Sequence, residues 1–178
     1  MANRFIICGG NGAGKSTLGK ALSLYLGWEY RDIEDYYFPK KDSDYVYETP
    51  RTREAVQALL MEDLERYENF ILSAVKGNYG MQVTSLFTCA VRICVPKAIR
   101  MQRVFERSYQ KFGDRILVGG DLYEQEKRFF DMVAKRSDEE ITQWLDTIEI
   151  PIIQVDGTKP TEENVLKIWQ SYCEICKS

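Results

Sequence analysis

Residues Gly9-Gly10-Asn11-Gly12-Ala13-Gly14-Lys15-Ser16 satisfy the pattern G-x-x-x-x-G-K-[ST] at every fixed position. They follow a short apolar run, Arg4-Phe-Ile-Ile-Cys8, and precede a stretch in which Leu18, Leu22 and Tyr25 or Leu26 fall on one helical face. A loop in that position leaves a buried strand and opens a helix. Its spelling has a physical reason. Successive N–H groups must turn inward to form an anion-binding nest, and glycine reaches the required dihedrals without a Cβ clash. The helix behind it adds unpaired amides and the positive end of its dipole. Gly9, Asn11, Gly12, Ala13, Gly14, Lys15, Ser16 and Thr17 are therefore expected around the phosphates of a nucleotide. Lys15 would serve as a mobile charge and the Ser16 hydroxyl as a ligand for Mg²⁺.

The rest of the chain fits one α/β domain over its 178 residues. Further apolar runs at Trp28–Asp32, Phe70–Val75, Ala90–Val95 and Pro151–Val155 read as strands. Helical patterns lie between them, from Pro50 or Arg51 to Arg66, over 97–111, over 122–136, from Asp138 to Asp146, and from Thr161 onward. Strand–helix alternation predicts a five-stranded parallel sheet covered by helices on both faces. Gly113, Gly119 and Gly120 interrupt the helical pattern and would let a small lid, about 111–122, hinge over a site.

Composition narrows the chemistry. Histidine is absent, which removes Ser–His, Cys–His and zincin-type machinery. The formal charge of −3 offers no basic surface for nucleic acid. No apolar stretch has the length of a membrane span, and the five cysteines read as reduced thiols, so a cytoplasmic protein without membrane association is expected, monomeric or homodimeric. No Asn-Lys-x-Asp guanine signature occurs, and Phe70-Ile-Leu-Ser73 continues into Ala-Val without the carboxylate that larger ATPases carry there.

Taken in order, the phosphate loop, the acidic segment Asp32-Ile-Glu-Asp35, the arginine-bearing stretch Arg100–Arg115 and the closing Asp156-Gly157-Thr158-Lys159-Pro160 resemble the small P-loop kinases, the nucleoside monophosphate kinase and shikimate kinase group. The resemblance spans nearly the whole chain and implies a P-loop nucleoside triphosphate-binding fold. It also implies a phosphotransferase that uses ATP and Mg²⁺ to phosphorylate a small-molecule acceptor. The third strand departs from adenylate kinases in lacking their Asp-Gly, and Lys76-Gly-Asn-Tyr-Gly-Met81 replaces their acceptor segment.

The resemblance assigns further roles. Arg103 and Arg107 become lid arginines that neutralise charge developing on the γ-phosphate, with Arg115 or Arg136 joining on closure. Gly157, Thr158, Lys159 and Pro160 become a main-chain cradle for the base. The acceptor would lie in the region of about 33–68. Two acceptor chemistries remain open. An alcohol needs a carboxylate to take its proton and another beside the metal, which points to Asp35 and Asp32. A phosphate-bearing acceptor needs no base, and Arg51 and Arg53 then bind it. Gly77, Asn78 and Tyr79 end the third strand on the side where open α/β sheets bind ligands. An ATP-binding switch with slow hydrolysis is the alternative from another functional class.

Overall fold

The computed structural model describes residues 2–38 and 50–177. The segment 39–49, part of the expected acceptor region, lies outside the described residues.

Five parallel strands form one sheet in the order β2-β3-β1-β4-β5. They are β1 (Asn3–Cys8), β2 (Glu29–Asp32), β3 (Asn69–Ala74), β4 (Cys89–Cys94) and β5 (Ile152–Asp156). Because side chains alternate across a strand, β1, β3 and β4 each feed two cores. Ile6, Cys8, Phe70 and Leu72 face one side, where Val56, Leu60 and Leu64 of helix α3 (Arg53–Arg66) close over them. Phe5, Ile7, Ile71 and Val91 face the other. There they meet Leu18 and Leu22 of α1 (Lys15–Leu26) with Ile168 and Tyr172 of α8 (Thr161–Ile175). The predicted α/β architecture with helices on both faces is the one observed.

The local boundaries have readable causes. Helix α3 starts at Arg53, slightly later than the pattern predicts, because the Thr52 hydroxyl accepts from the Ala55 N–H and caps it. Two helices are too short to announce themselves by periodicity, α2 (Ile33–Tyr37) and α4 (Met81–Thr84). The chain then continues through α5 (Lys97–Phe112), a 3₁₀ turn at Gly113–Ile116, α6 (Tyr123–Lys135) and α7 (Glu139–Leu145).

Strand β1 lies between β3 and β4, and the connections diverge to opposite sides of it. The crevice at its carboxyl end is the topological switch point of the sheet, where open α/β folds take their ligands. The loop from Gly9 to Gly14 occupies that point.

Candidate active site

The phosphate loop is shaped by what stands behind it. Gly12 and Gly14 have φ of 78° and 93°, in the left-handed region that glycine tolerates. Arg100 of α5 presses on the loop from below. Its guanidinium occupies the space of a Cβ on Gly10, and its carbonyl occupies that of a Cβ on Gly12. The buried guanidinium is locked. Nε donates to the Val95 carbonyl at 3.1 Å, and Nη2 donates to both Asp138 carboxylate oxygens at 2.9 and 2.8 Å. Neither glycine admits a larger residue without displacing that arginine.

Lys15 donates through Nζ to the Gly10 carbonyl at 3.1 Å, bending its side chain over the loop it must serve. Burial lowers its pKa to about 8; the carboxylates of Asp32 and Glu34 oppose the shift, and Arg107 adds to it. Ser16 Oγ donates to Asp32 Oδ2 at 2.5 Å, while Asp32 Oδ1 accepts the Glu34 N–H at 3.1 Å and so caps α2. Tyr30 also donates to Asp32, at 3.2 Å. The acid beside Ser16 thus comes from the end of β2, while the Ser73 hydroxyl, in register with Asp32 on β3, donates to the Lys15 carbonyl.

These groups fit the ligands that the fold implies. The loop's left-handed glycines let backbone amides turn inward, and the helix that follows presents its N-terminus, an arrangement suited to phosphate oxygens. Ser16 and Asp32 offer hard oxygen donors of the kind Mg²⁺ takes in small number beside phosphates. Among the described residues no cluster of three or more Asp, Glu, His or Cys gathers, so the protein side of such a metal shell is sparse.

A cavity of about 980 Å³ opens from Asn11 across the carboxyl ends of the strands. From the expected acceptor region it is lined by Glu34, Tyr37, Phe38 and Arg53, and after β3 by Lys76, Asn78 and Tyr79. Asp35 is exposed and does not line it. In the single turn of α2, burial of Ile33 and Tyr36 turns Glu34 and Tyr37 toward the cavity and Asp35 away from it. Glu34 therefore stands where the sequence pattern favoured Asp35. Arg51 also lies apart. Its guanidinium donates to the Tyr36 carbonyl at 2.9 Å and its N–H to the Tyr37 carbonyl at 2.7 Å, so it fastens α2 to the approach to α3. Arg53 reaches the cavity, where it donates to the Asn78 carbonyl. At Gly77 a Cβ would come within 2.5 Å of Trp144 and 2.6 Å of Ile6, so the turn bearing Asn78 and Tyr79 is seated on the core.

Helix α5 carries its cations along one side, and each meets a different part of the site. Arg100 backs the phosphate loop. Arg103 donates through both terminal nitrogens to the Gly157 carbonyl at 3.1 Å, next to the loop, and Arg107 and Lys111 line the cavity. Gly157 is held close as well. Its N–H donates to the Cys94 carbonyl, and a Cβ there would come within 2.8 Å of the Ala13 carbonyl. The Asp156 carboxylate accepts from the N–H and hydroxyl of Thr158, and Lys159 pairs with Glu163, so the Asp156–Pro160 turn offers main chain more than side chains.

No family model matches the sequence. The chain is 30% identical over 176 residues to the uncharacterized protein YqaC of Bacillus subtilis strain 168, with 94% of this chain and 96% of YqaC covered. The chain belongs to the YqaC family. Solved structures share its fold. Shikimate kinase from Bacteroides thetaiotaomicron superposes with a TM-score of 0.63 at 17% identity, over 97% of this chain and 99% of that one. Deoxyadenosine kinase from M. mycoides superposes with a TM-score of 0.55 at 16% identity, over 96% of this chain and 99% of that one. The YqaC-family chain therefore has the fold of the small P-loop kinases.

The cavity in this family member is covered by α6 together with Lys111 and Phe112, the start of the expected lid of 111–122. Glu126, Arg128, Phe129 and Met132 of α6 line it. The 113–121 turn is folded on itself, with Arg115 gripping Asp121 at 2.7–3.2 Å. Two contacts tie the end of α6 and the start of α7 to the floor. Arg136, just past α6, donates to the Asn11 side chain at 2.8 Å, and Lys76 pairs with Glu140 at 2.6 Å. Pattern reading missed Glu34, Glu140 and the α6 roof. The Asp32 capping position was the signal for Glu34, since a helix cap fixes which following residues face outward. Among the described residues no helix is long and apolar enough to cross a membrane.

Proposed function

We propose that the protein is a Mg-ATP-dependent kinase that transfers the γ-phosphoryl group to a hydroxyl group of a small molecule. The observation that carries this reading is the position of Glu34. Its carboxylate lines the acceptor-sized cavity, and its charge is felt at Lys15, the residue that would hold the transferring phosphoryl group. A carboxylate at that junction suits an acceptor with a proton to lose and repels one that arrives as a phosphate. The engagement of Arg51 with the Tyr36 carbonyl supports the same choice, because it removes one arginine of the pair that a phosphate-bearing acceptor would need.

In this reading the amides of Gly12–Thr17 and the Lys15 ammonium hold the β- and γ-phosphates. Ser16 and Asp32 hold Mg²⁺, which when bound supplies charge neutralisation on the phosphate oxygens. Arg103 and the Gly157–Pro160 main chain flank the base, and Arg107 stabilises charge spreading over the transferring group. Glu34 takes the acceptor's hydroxyl proton as the new P–O bond forms and the bond to the bridging oxygen breaks, leaving ADP. Helix α6 excludes water, which would otherwise compete as acceptor. A coupled ADP-release assay tests the reading. Negligible ADP is expected with ATP and Mg²⁺ alone, and turnover once a hydroxyl acceptor is supplied. Acceptor-independent hydrolysis as the sole activity would refute it.

A further inference from the structure

Given the kinase reading above, on which this inference rests, the remaining question is what the cavity was built to hold. Its walls answer in chemical terms. On the sheet side stand Tyr37, Phe38 and Tyr79, and from α6 come Phe129 and Met132. Aromatic and thioether side chains offer flat, polarisable, mostly apolar surface. Of the six cations among the described residues that line the cavity, three are committed, Arg53 to the Asn78 carbonyl, Lys76 to Glu140 and Arg136 to Asn11, while Arg107, Lys111 and Arg128 line it as well. A small polyhydroxylated acid buried here would lose water from several hydroxyls and meet rings in return, and each unmatched hydroxyl weakens binding.

A ring-bearing acceptor meets the opposite circumstances. Asn78 and Gln125 line the same cavity, and a carboxamide presents a donor and an acceptor side by side, the pairing that reads the edge of a heteroaromatic ring. At about 980 Å³ the space exceeds what a six-carbon acid fills and accommodates a ring with its attached sugar. We propose that the acceptor is an unphosphorylated nucleoside-class alcohol: a planar heteroaromatic ring packed between the Tyr37–Tyr79 wall and Phe129, bearing the hydroxyl that Glu34 deprotonates. The transfer then yields a nucleoside monophosphate and ADP, with the hydroxyl proton passing to the Glu34 carboxylate.

The test is binding to the folded, full-length protein with its nucleotide site saturated by a non-hydrolysable ATP analogue and Mg²⁺. Calorimetry is run with adenosine, guanosine, cytidine, uridine and thymidine, with their 5′-monophosphates, and with gluconate and shikimate as polyhydroxylated acids. At least one nucleoside is expected to bind at least about tenfold more tightly than either acid and than its own monophosphate. Phe129→Leu and Tyr37→Leu should each weaken that nucleoside about tenfold, within the range that base–aromatic stacking covers, while analogue affinity changes less than about twofold. A preferred acid or monophosphate would overturn the acceptor assignment and leave the kinase reading standing. So would the absence of binding by any nucleoside to protein that holds the analogue. Failure of the wild-type protein to bind the analogue would remove the kinase reading itself and the acceptor with it.

Discussion

The guanidinium of Arg100 grips both carboxylate oxygens of Asp138, 38 residues further along the chain, while its Nε satisfies the Val95 carbonyl. One buried cation thus joins the underside of the phosphate loop, the end of β4 and the entry to α7. Arg100→Ala should lower stability by about 3 kcal/mol in urea titration, since it removes a packed side chain and strands its partners. It should also raise the KM for ATP by loosening the loop. Asp138 is half exposed, so Asp138→Asn should lower stability by only about 1 kcal/mol.

Lys15→Ala should abolish turnover with the fold retained, read as an unchanged far-ultraviolet spectrum and urea midpoint beside an undetectable rate. Its pKa of about 8 adds a pH dependence. A bound triphosphate favours the ammonium, so the pKa rises in the complex. Below pH 8 Lys15 is protonated with or without nucleotide and contributes no linked proton. Above pH 8 binding must draw one from solution. Affinity for ATP should therefore fall as pH climbs past 8, and calorimetry in buffers of different ionisation enthalpy should register proton uptake there and not at pH 6.5.

The three neighbouring carboxylates separate by position. Glu34→Gln and Asp32→Asn should each lower kcat by about a hundredfold or more, the size expected for a proton acceptor and for a residue that fixes the metal shell. Asp35→Asn should stay within about twofold of wild type. Equal losses at Asp35 and Glu34 would contradict the orientation of α2.

Arg103 and Arg107 divide in the same way along α5. Arg103→Ala should act mainly on the KM for ATP, because its guanidinium supports the Gly157 carbonyl in the turn proposed to cradle the base. Arg107→Ala should lower kcat more than it raises that KM. Steady-state kinetics over a range of ATP at saturating acceptor separates the two.

Burial pushes the Cys8 and Cys89 thiols up to about 12, which leaves almost no thiolate at pH 8. Both should resist alkylation in the folded protein and react on denaturation, whereas the exposed Cys94 and Cys176 should label in the native state. Peptide mapping after timed iodoacetamide treatment gives the answer.

The strands and the phosphate loop were legible because their signals are local. Ile6 and Ile7 sit in a run that reads as a buried strand on sight, and the loop's glycines are required by backbone geometry that any partner must respect. The choice between Glu34 and Asp35 was not local. It depends on which side of a single helical turn the core pulls inward, and Ile33 and Tyr36 decide that only once α3 and β3 are in place. Arg100 shows the same limit. Its spacing placed it in series with Arg103 and Arg107, but its partner Asp138 lies across a whole helical segment, beyond the reach of periodicity. The α6 side of the cavity was not legible for a related reason: glycines mark where a chain bends, while the residues that cover a cavity are those whose apolar stripe, as in Phe129 and Met132, has a space to face.

The origin of the acid beside Ser16 has a lasting consequence. With Asp32 hanging from the second strand, the tip of the third carries no ionic duty toward the nucleotide. Within the turn that follows, Gly77 and Tyr79 are seated on the core, so Lys76 and Asn78 are the lining positions open to change. If the chain is the kinase proposed above, its descendants gain a way to exchange one clientele for another at those two positions, while the engine that spends the triphosphate runs on undisturbed.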